Sequence, residues 1–199
     1  MRIANVMRKF SPCAVMAVGL LFWSPVLGQE LGTEWTALAP EDAAIIIQDL
    51  SLKDKIVRHL RSRDEGYRYT LEVALWTGPL SRIPVAQVYY YKLFPGYHFR
   101  TELDPKAIPM ASKHFADEDI DFAGLRSTNS PLGRVRSRRF HVTNIDCVSF
   151  VLQFGTTADG GGGTNRIYGF YCADPGVSLT DKRVDVVLGN IGVRGVAVP

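Results

Sequence analysis

The sequence predicts an α+β fold: an antiparallel sheet of about five to six strands, helices packed mainly on one of its faces, and one disulfide. Three observations carry this expectation. Stretches of period-two alternation recur along the chain and are joined by short turn signals. Helical spacing is confined to the start, the middle and the stretch near the end. Two cysteines, Cys147 and Cys172, flank a glycine run. Locally connected strands make antiparallel sheets, and helices between them cover a face as a second layer.

The first residues set the compartment. Arg2, Arg8 and Lys9 form a basic n-region, Phe10 to Trp23 is almost wholly apolar, and Ser24-Pro25 ends the run before Val26-Leu27-Gly28. This is the layout of a cleavable export signal, with the cut expected after Gly28. The apolar run falls short of the ~20 residues a spanning helix needs. Cys13 sits near the start of that run, where a lipidation site does not occur, and Arg8 is followed by Lys9, not by a second arginine. Residues 1–28 are therefore expected to be a removed signal peptide. Residues 29–199 are expected to form one α+β domain, periplasmic or secreted, with no transmembrane segment.

That reading changes the charge balance. The whole chain has 23 Lys and Arg against 20 Asp and Glu. The leader removes three basic residues and no acidic one, leaving 20 of each sign. A chain so balanced lacks the basic excess of a nucleic-acid binder, and no nucleic-acid partner is expected.

The elements follow in order. Pro40 with Glu41 and Asp42 suits a helix start, and Ala43, Ile46, Ile47 and Leu50 recur at helical spacing. Ser51 and Asp54 have capping-box spacing, which predicts that helix continues or restarts through Ile56, Val57 and Leu60. Tyr67, Tyr69, Leu71, Val73 and Leu75 alternate with Arg68, Thr70 and Glu72, a half-buried strand. Val85 to Phe94 is a second β-rich run, closed by Pro95-Gly96, and is expected to pair antiparallel with the first. Asp104-Pro105 opens a short helix to about Lys113. A short strand around Ile120 and Phe122 and a loop over 128–133 precede a strand from Arg134 to Val142. Asp146 to Thr156 and Asn165 to Ala173 are strands around Gly160–Gly163. Ser178 or Thr180 caps a helix that Gly189 ends, and Ile191 to Val198 is a short strand or extended tail.

The midpoint of Cys147 and Cys172 falls beside the glycine turn, so an antiparallel hairpin centred there makes them near-opposite neighbours. Such neighbours come close enough for a disulfide, which an oxidising compartment favours. A catalytic role for Cys147 with His141 would require a thiol kept reduced in that compartment.

The stretch Tyr168-Gly169-Phe170-Tyr171-Cys172, followed by the capped helix and Ile191-Gly192-Val193, resembles the end of small exported bacterial proteins of unknown function. The resemblance spans roughly the last 55 residues. It implies export and a hairpin with a disulfide, and no activity.

Candidate sites are few. Arg134, Arg136 and Arg138 alternate on a predicted strand, with Arg139 adjacent. Three guanidinium groups on one face are an anion-binding candidate, and equally a charged edge that blocks sheet-to-sheet aggregation. Tyr89-Tyr90-Tyr91, Phe94, Tyr97 and Phe99 form an aromatic stretch, of which period two sends at least half into the core. His59, His98, His114 and His141 have no metal-binding spacing, so no metal or other cofactor is expected. The glycine run lacks the Lys-Ser/Thr of a phosphate loop. No Gly-x-Ser-x-Gly or Ser-x-x-Lys occurs, and Ser149 lies mid-strand. The expectation is thus a non-catalytic exported domain binding a protein or envelope component. An enzyme using His141, Asp146 and the arginines, and an anionic surface held by Arg134 to Arg139, are the alternatives.

Overall fold

The computed structural model describes residues 35–48, 52, 55–63, 68–78, 85–155 and 163–196. The signal-peptide segment, Ser51 with Asp54, and the glycine run before Gly163 lie outside these residues.

Eight strands form one sheet: β1 (Thr36–Leu38), β3 (Ile56–Arg63), β4 (Tyr69–Thr77), β5 (Ala86–Leu93), β6 (Ile120–Ser130), β7 (Gly133–Val142), β8 (Ile145–Phe154) and β9 (Asn165–Cys172). Their order is β1-β3-β4-β5-β9-β8-β7-β6, antiparallel at every neighbour. Two meanders, β3-β4-β5 and β6-β7-β8-β9, are thus joined edge to edge through β5 and β9. A two-stranded ribbon pairs β2 (Ile45–Ile47) with β10 (Ile191–Val193). The helices are α1 (Ala107–Ala111), followed by a 3-10 turn at Lys113–Phe115, and α2 (Asp181–Gly189).

Period two divides the side chains of the central strands between two cores. On one face Val88, Tyr90, Val148, Phe150, Leu152, Ile167 and Tyr171 pack under Val184, Val187 and Leu188 of α2 and under Ile45, Ile191 and Val193 of the ribbon. On the other, Tyr89, Phe140, Val142, Val151, Tyr168 and Phe170 pack under Ile108 of α1 and Phe115 of the 3-10 turn. Central strands buried on both faces read as apolar runs, as β8 and β9 do.

The α+β expectation is therefore corrected: the described chain is mostly β, with an eight-stranded sheet and a two-stranded one, and α1 and α2 lie on opposite faces. The error lies at two predicted helices. Ala43 to Leu50 contains the β-branched run Ile45-Ile46-Ile47, which pairs with β10. Ile56 to Arg63, the expected second helix, pairs along its length with β4. Long-range pairing overrides helical spacing of this strength. The predicted loop over 128–133 shrinks to a turn, because β6 runs on to Ser130, paired with Gly133. The strand expected from Tyr67, which itself lies outside the described residues, runs over Tyr69–Thr77, and the strands from Val85, Arg134, Asp146 and Asn165, the antiparallel pairing of β4 with β5, and both later helices stand as expected.

Cys147 and Cys172 are directly opposite in the β8–β9 register and are joined by a disulfide, with Cα atoms 4.0 Å apart. Cys172 N–H donates to Val85 O, just before β5 and away from β8. The cysteines thus occupy the kind of cross-strand pair in which side chains come closest. Gly169 in the same strand makes the seam between the meanders possible. A Cβ built there would fall 2.1 Å from Gln87 O.

Candidate functional site

Strand alternation places Arg134, Arg136 and Arg138 on one face of β7, as expected, and Arg139 on the other, toward α2. Two of the row face carboxylates of the chain itself. Arg136 is paired with Glu102, and Arg138 Nε lies 3.2 Å from Asp104. Both carboxylates come from the segment that leads into α1. Arg138 and a backbone bond from Lys106 hold the Asp104 carboxyl below its ordinary pKa, the backbone bond being the larger cause. Arg139 Nε lies 3.4 Å from Asp181 and its Nη1 donates to Leu179 O, while Arg126 of β6 reaches Asp181 and Asp185. The arginines of β6 and β7 therefore fasten covering segments to both faces of the sheet. Arg134 is exposed.

His141 and Asp146 are brought together across the β7–β8 turn. Asp146 Oδ1 lies 2.7 Å from His141 Nδ1, and His141 Nε2 lies 2.9 Å from Thr143 O. A carboxylate and a carbonyl both accept, so the two contacts favour the doubly protonated ring. The Asp146 hydrogen bond and the Thr143 carbonyl accordingly raise the His141 pKa. The other Asp146 oxygen accepts from Leu179 N–H, which with His141 holds its carboxyl low. With Arg139 and Asp121 the pair borders an open depression of about 250 Å³. Both ring nitrogens are engaged, and the pair clamps the turn between β7 and β8.

The site that sequence reasoning missed is centred on Arg166, opposite Tyr91 of β5 and Gln153 of β8. Period two puts Arg166 in line with Tyr168, Phe170 and Cys172, on the face covered by α1. The segment from Phe99 to α1 crosses over it and leaves a cleft of about 340 Å³. Phe99, Leu103, Ala107 and Ile108 form its apolar side, and Tyr91, Tyr168 and Arg166 its base.

Three tyrosines support that base. Tyr168 stacks on Tyr89 at 4.9 Å and on Tyr91 at 5.9 Å between ring centroids. Burial pushes the hydroxyls of Tyr89 and Tyr168 far above the ordinary phenol pKa, so both are neutral donors or acceptors at any physiological pH.

Arg166 is half-buried, and its guanidinium carbon stacks 3.9 Å over the Phe99 ring. Its Nη2 donates to Thr101 O and to Gln153 Oε1. These acceptors are neutral, and Nε is buried without a hydrogen-bond partner. Burial pulls the Arg166 pKa down, the mark of a cation removed from water. Among the described residues no carboxylate is paired with it. An apolar cleft that presents one such cation has the composition of a ligand pocket.

Elsewhere, among the described residues, no group of three or more His, Cys, Asp or Glu is gathered as a metal site requires, and no helix is long and apolar enough to cross a membrane. No family model, curated protein or solved structure matches the chain.

Proposed function

We propose that this chain is an exported, non-catalytic binding domain whose ligand is a small molecule with an apolar body and a carboxylate end. The apolar body lies against Phe99, Leu103 and Ile108, and the carboxylate meets Arg166. The single observation that carries the proposal is the charge of Arg166, unpaired among the described residues. The other arginines discussed above, Arg126, Arg136, Arg138 and Arg139, face carboxylates of the chain itself. Arg166 alone of this set is set into an apolar cleft with neutral partners and an unused Nε–H. A half-buried cation without a counter-charge is costly, and an incoming carboxylate offsets that cost with charge-assisted hydrogen bonds. The disulfide supports the export part of the reading, since such bonds persist outside the reducing cytosol.

Hexanoate and phenylacetate are suitable probes, titrated into the disulfide-bonded protein and followed by calorimetry and amide resonances. Saturable binding is expected, with shifts at Phe99, Leu103 and Arg166. Arg166→Met should weaken it by roughly tenfold or more, the worth of a hydrogen bond to a charged group, while Arg166→Lys retains part. Absence of saturation, or equal affinity in Arg166→Met, would overturn the proposal.

A further inference from the structure

The structure assigns Arg136 and Arg138 of β7 a role in the Arg166 cleft: they are positioning residues that hold its apolar wall over its base, and so set how tightly the cleft keeps a ligand. This rests on the carboxylate reading above and adds two residues, outside the cleft, on which that site depends.

The apolar wall belongs to one segment, Phe99 to Ala111, and the base to β5 and β9. The segment is anchored at both ends. Phe99 N–H donates to Gly163 O at 3.0 Å, and Phe99 O accepts from Gln153 of β8 at 3.4 Å. At the far end Ile108 is buried, and just beyond the segment the Phe115 ring lies 5.3 Å from Phe140 and 5.0 Å from Phe170 between centroids. Between these anchors Thr101 O, Glu102 and Asp104 meet Arg166, Arg136 and Arg138 in turn. The segment thereby crosses from β9 over β8 to β7.

The spacing of the two ion pairs is matched. Glu102 and Asp104 stand two residues apart, as Arg136 and Arg138 do, and both pairs span 34 positions in the sequence. This stretch therefore runs beside β7 in the same direction, one carboxylate to each arginine. Leu103 lies between the two carboxylates and lines the cleft, followed by Ala107 and Ile108. With Glu102 and Asp104 drawn to β7, Leu103 is held toward the cleft. Neither arginine lines the cleft itself. Arg136 is in register with Val151 of β8, and Val151 with Tyr168 of the base, which puts Arg136 two strands, about 10 Å, from Tyr168. The two arginines thus act on a ligand through the segment and not by contact. Both pairs are partly exposed, so each tunes the wall severalfold and neither decides folding.

Hexanoate titrated into the disulfide-bonded protein tests the assignment. At low salt, Arg136→Gln/Arg138→Gln should weaken its binding by about fivefold. That loss should shrink in about 1 M NaCl, where the screening length falls to about 3 Å. Arg134→Gln, at the exposed third arginine of the row, should change binding by less than about twofold. Arg136→Glu should bind more weakly, and Arg136→Glu/Glu102→Arg should regain the parent's affinity. The ligand-free protein supplies a second readout. Arg166 lies over the Phe99 ring, so its side-chain protons carry a ring-current shift that reports where the segment sits. That shift should fall in the double glutamine variant and return in the charge-reversed pair. Equal hexanoate affinity in parent and double glutamine variant, or an unchanged Arg166 shift, overturns the assignment and leaves the Arg166 site standing. Failure of hexanoate to saturate the parent overturns the Arg166 reading, and the assignment with it.

Discussion

His141 and Asp146 face one another across the β7–β8 hairpin, with Nδ1 and Oδ1 2.7 Å apart. The turn between them contains Thr143, a β-branched residue at φ +54°, a backbone conformation that costs energy unless its surroundings enforce it. The surroundings do so: His141 Nε2 lies 2.9 Å from Thr143 O, and Thr143 Oγ1 donates to Glu118 at 2.9 Å.

The protonation state of His141 therefore shapes the pH dependence of stability. Its folded pKa is raised above the ordinary 6.5. The folded state then binds the proton more tightly, and the contribution is full below 6.5 and lost as pH rises through the folded pKa. Asp146 has a lowered pKa, so its own contribution is lost only in acid, as pH falls through its folded value. His59 and His114 shift the opposite way, because burial lowers both, and the whole protein mixes the two signs. The difference between parent and His141→Gln removes that mixture. In urea melts the deficit of His141→Gln should be larger at pH 5.5 than at pH 8.5. An equal deficit at both values would show that the ring does not act through its charge.

The disulfide gives a second expectation. Cys147 and Cys172 are separated by 25 residues in sequence. Closing a loop of that size stabilises by about 3.5 kcal/mol in the chain-entropy account. Both sulfurs lie in the core beside Phe140 and Phe170, so Cys147→Ala/Cys172→Ala suits the site better than serine. The double variant should unfold at lower urea by roughly that free energy. Non-reducing peptide mass spectrometry of the parent should find the two cysteine peptides linked, and free thiols at both positions would refute the pairing.

Much of the central sheet was legible because its strands carry their own period. β4, β5 and β7 to β9 alternate or run apolar between clear turn residues, and the cysteine register follows from the glycine turn. β2 and β3 were not legible. Ile46, Ile47 and Leu50 have helical spacing, and Ile56, Val57 and Leu60 follow a capping-box spacing; only pairing with β10 and β4 makes these segments strands. The arginine row shows the same limit. Its alternation is visible, but Glu102, Asp104 and Asp181 come from distant segments, and their arrival turns a binding candidate into fastenings. Arg166 was hidden for the converse reason. One cation at the start of an aromatic strand carries no motif, and its isolation is created by the crossing of Phe99 and Thr101.

Glu72 tests how the ribbon is held to the sheet. Its carboxylate receives two backbone N–H groups where the chain enters β2, together with Arg61. Glu72→Ala would strand those N–H groups and leave Arg61 with Asp42 O and solvent, a loss of roughly 2–3 kcal/mol. Glu72→Gln keeps a carbonyl oxygen for the N–H groups and should cost roughly half as much. Hydrogen exchange at Ala44 and Ile45 should accelerate in both variants, more in Glu72→Ala. Unchanged exchange there would mean that β2 is held by its pairing with β10 alone.

Gly169 offers the sharpest test of the seam between the two meanders. It lies between Val88 of β5 and Phe150 of β8. A methyl group there would sit 2.1 Å from Gln87 O and 2.9 Å from Val88 Cα, both backbone atoms that cannot turn aside as a side chain would. Gly169→Ala must therefore push β5 away from β9 along the one junction that makes a single sheet of two. Overpacking of this kind costs about 3 kcal/mol or more, which lowers Tm by roughly 6–12 °C in a domain of this size. The damage should be local first. The bond from Cys172 N–H to Val85 O, at 2.7 Å, lies at the end of the same seam, and its exchange should rise ahead of global unfolding. The β6–β7 pair at the far edge should keep its protection. Alanine tolerated within 0.5 kcal/mol would mean that β5 and β9 are not in contact as described, and the joining of the meanders would have to be redrawn.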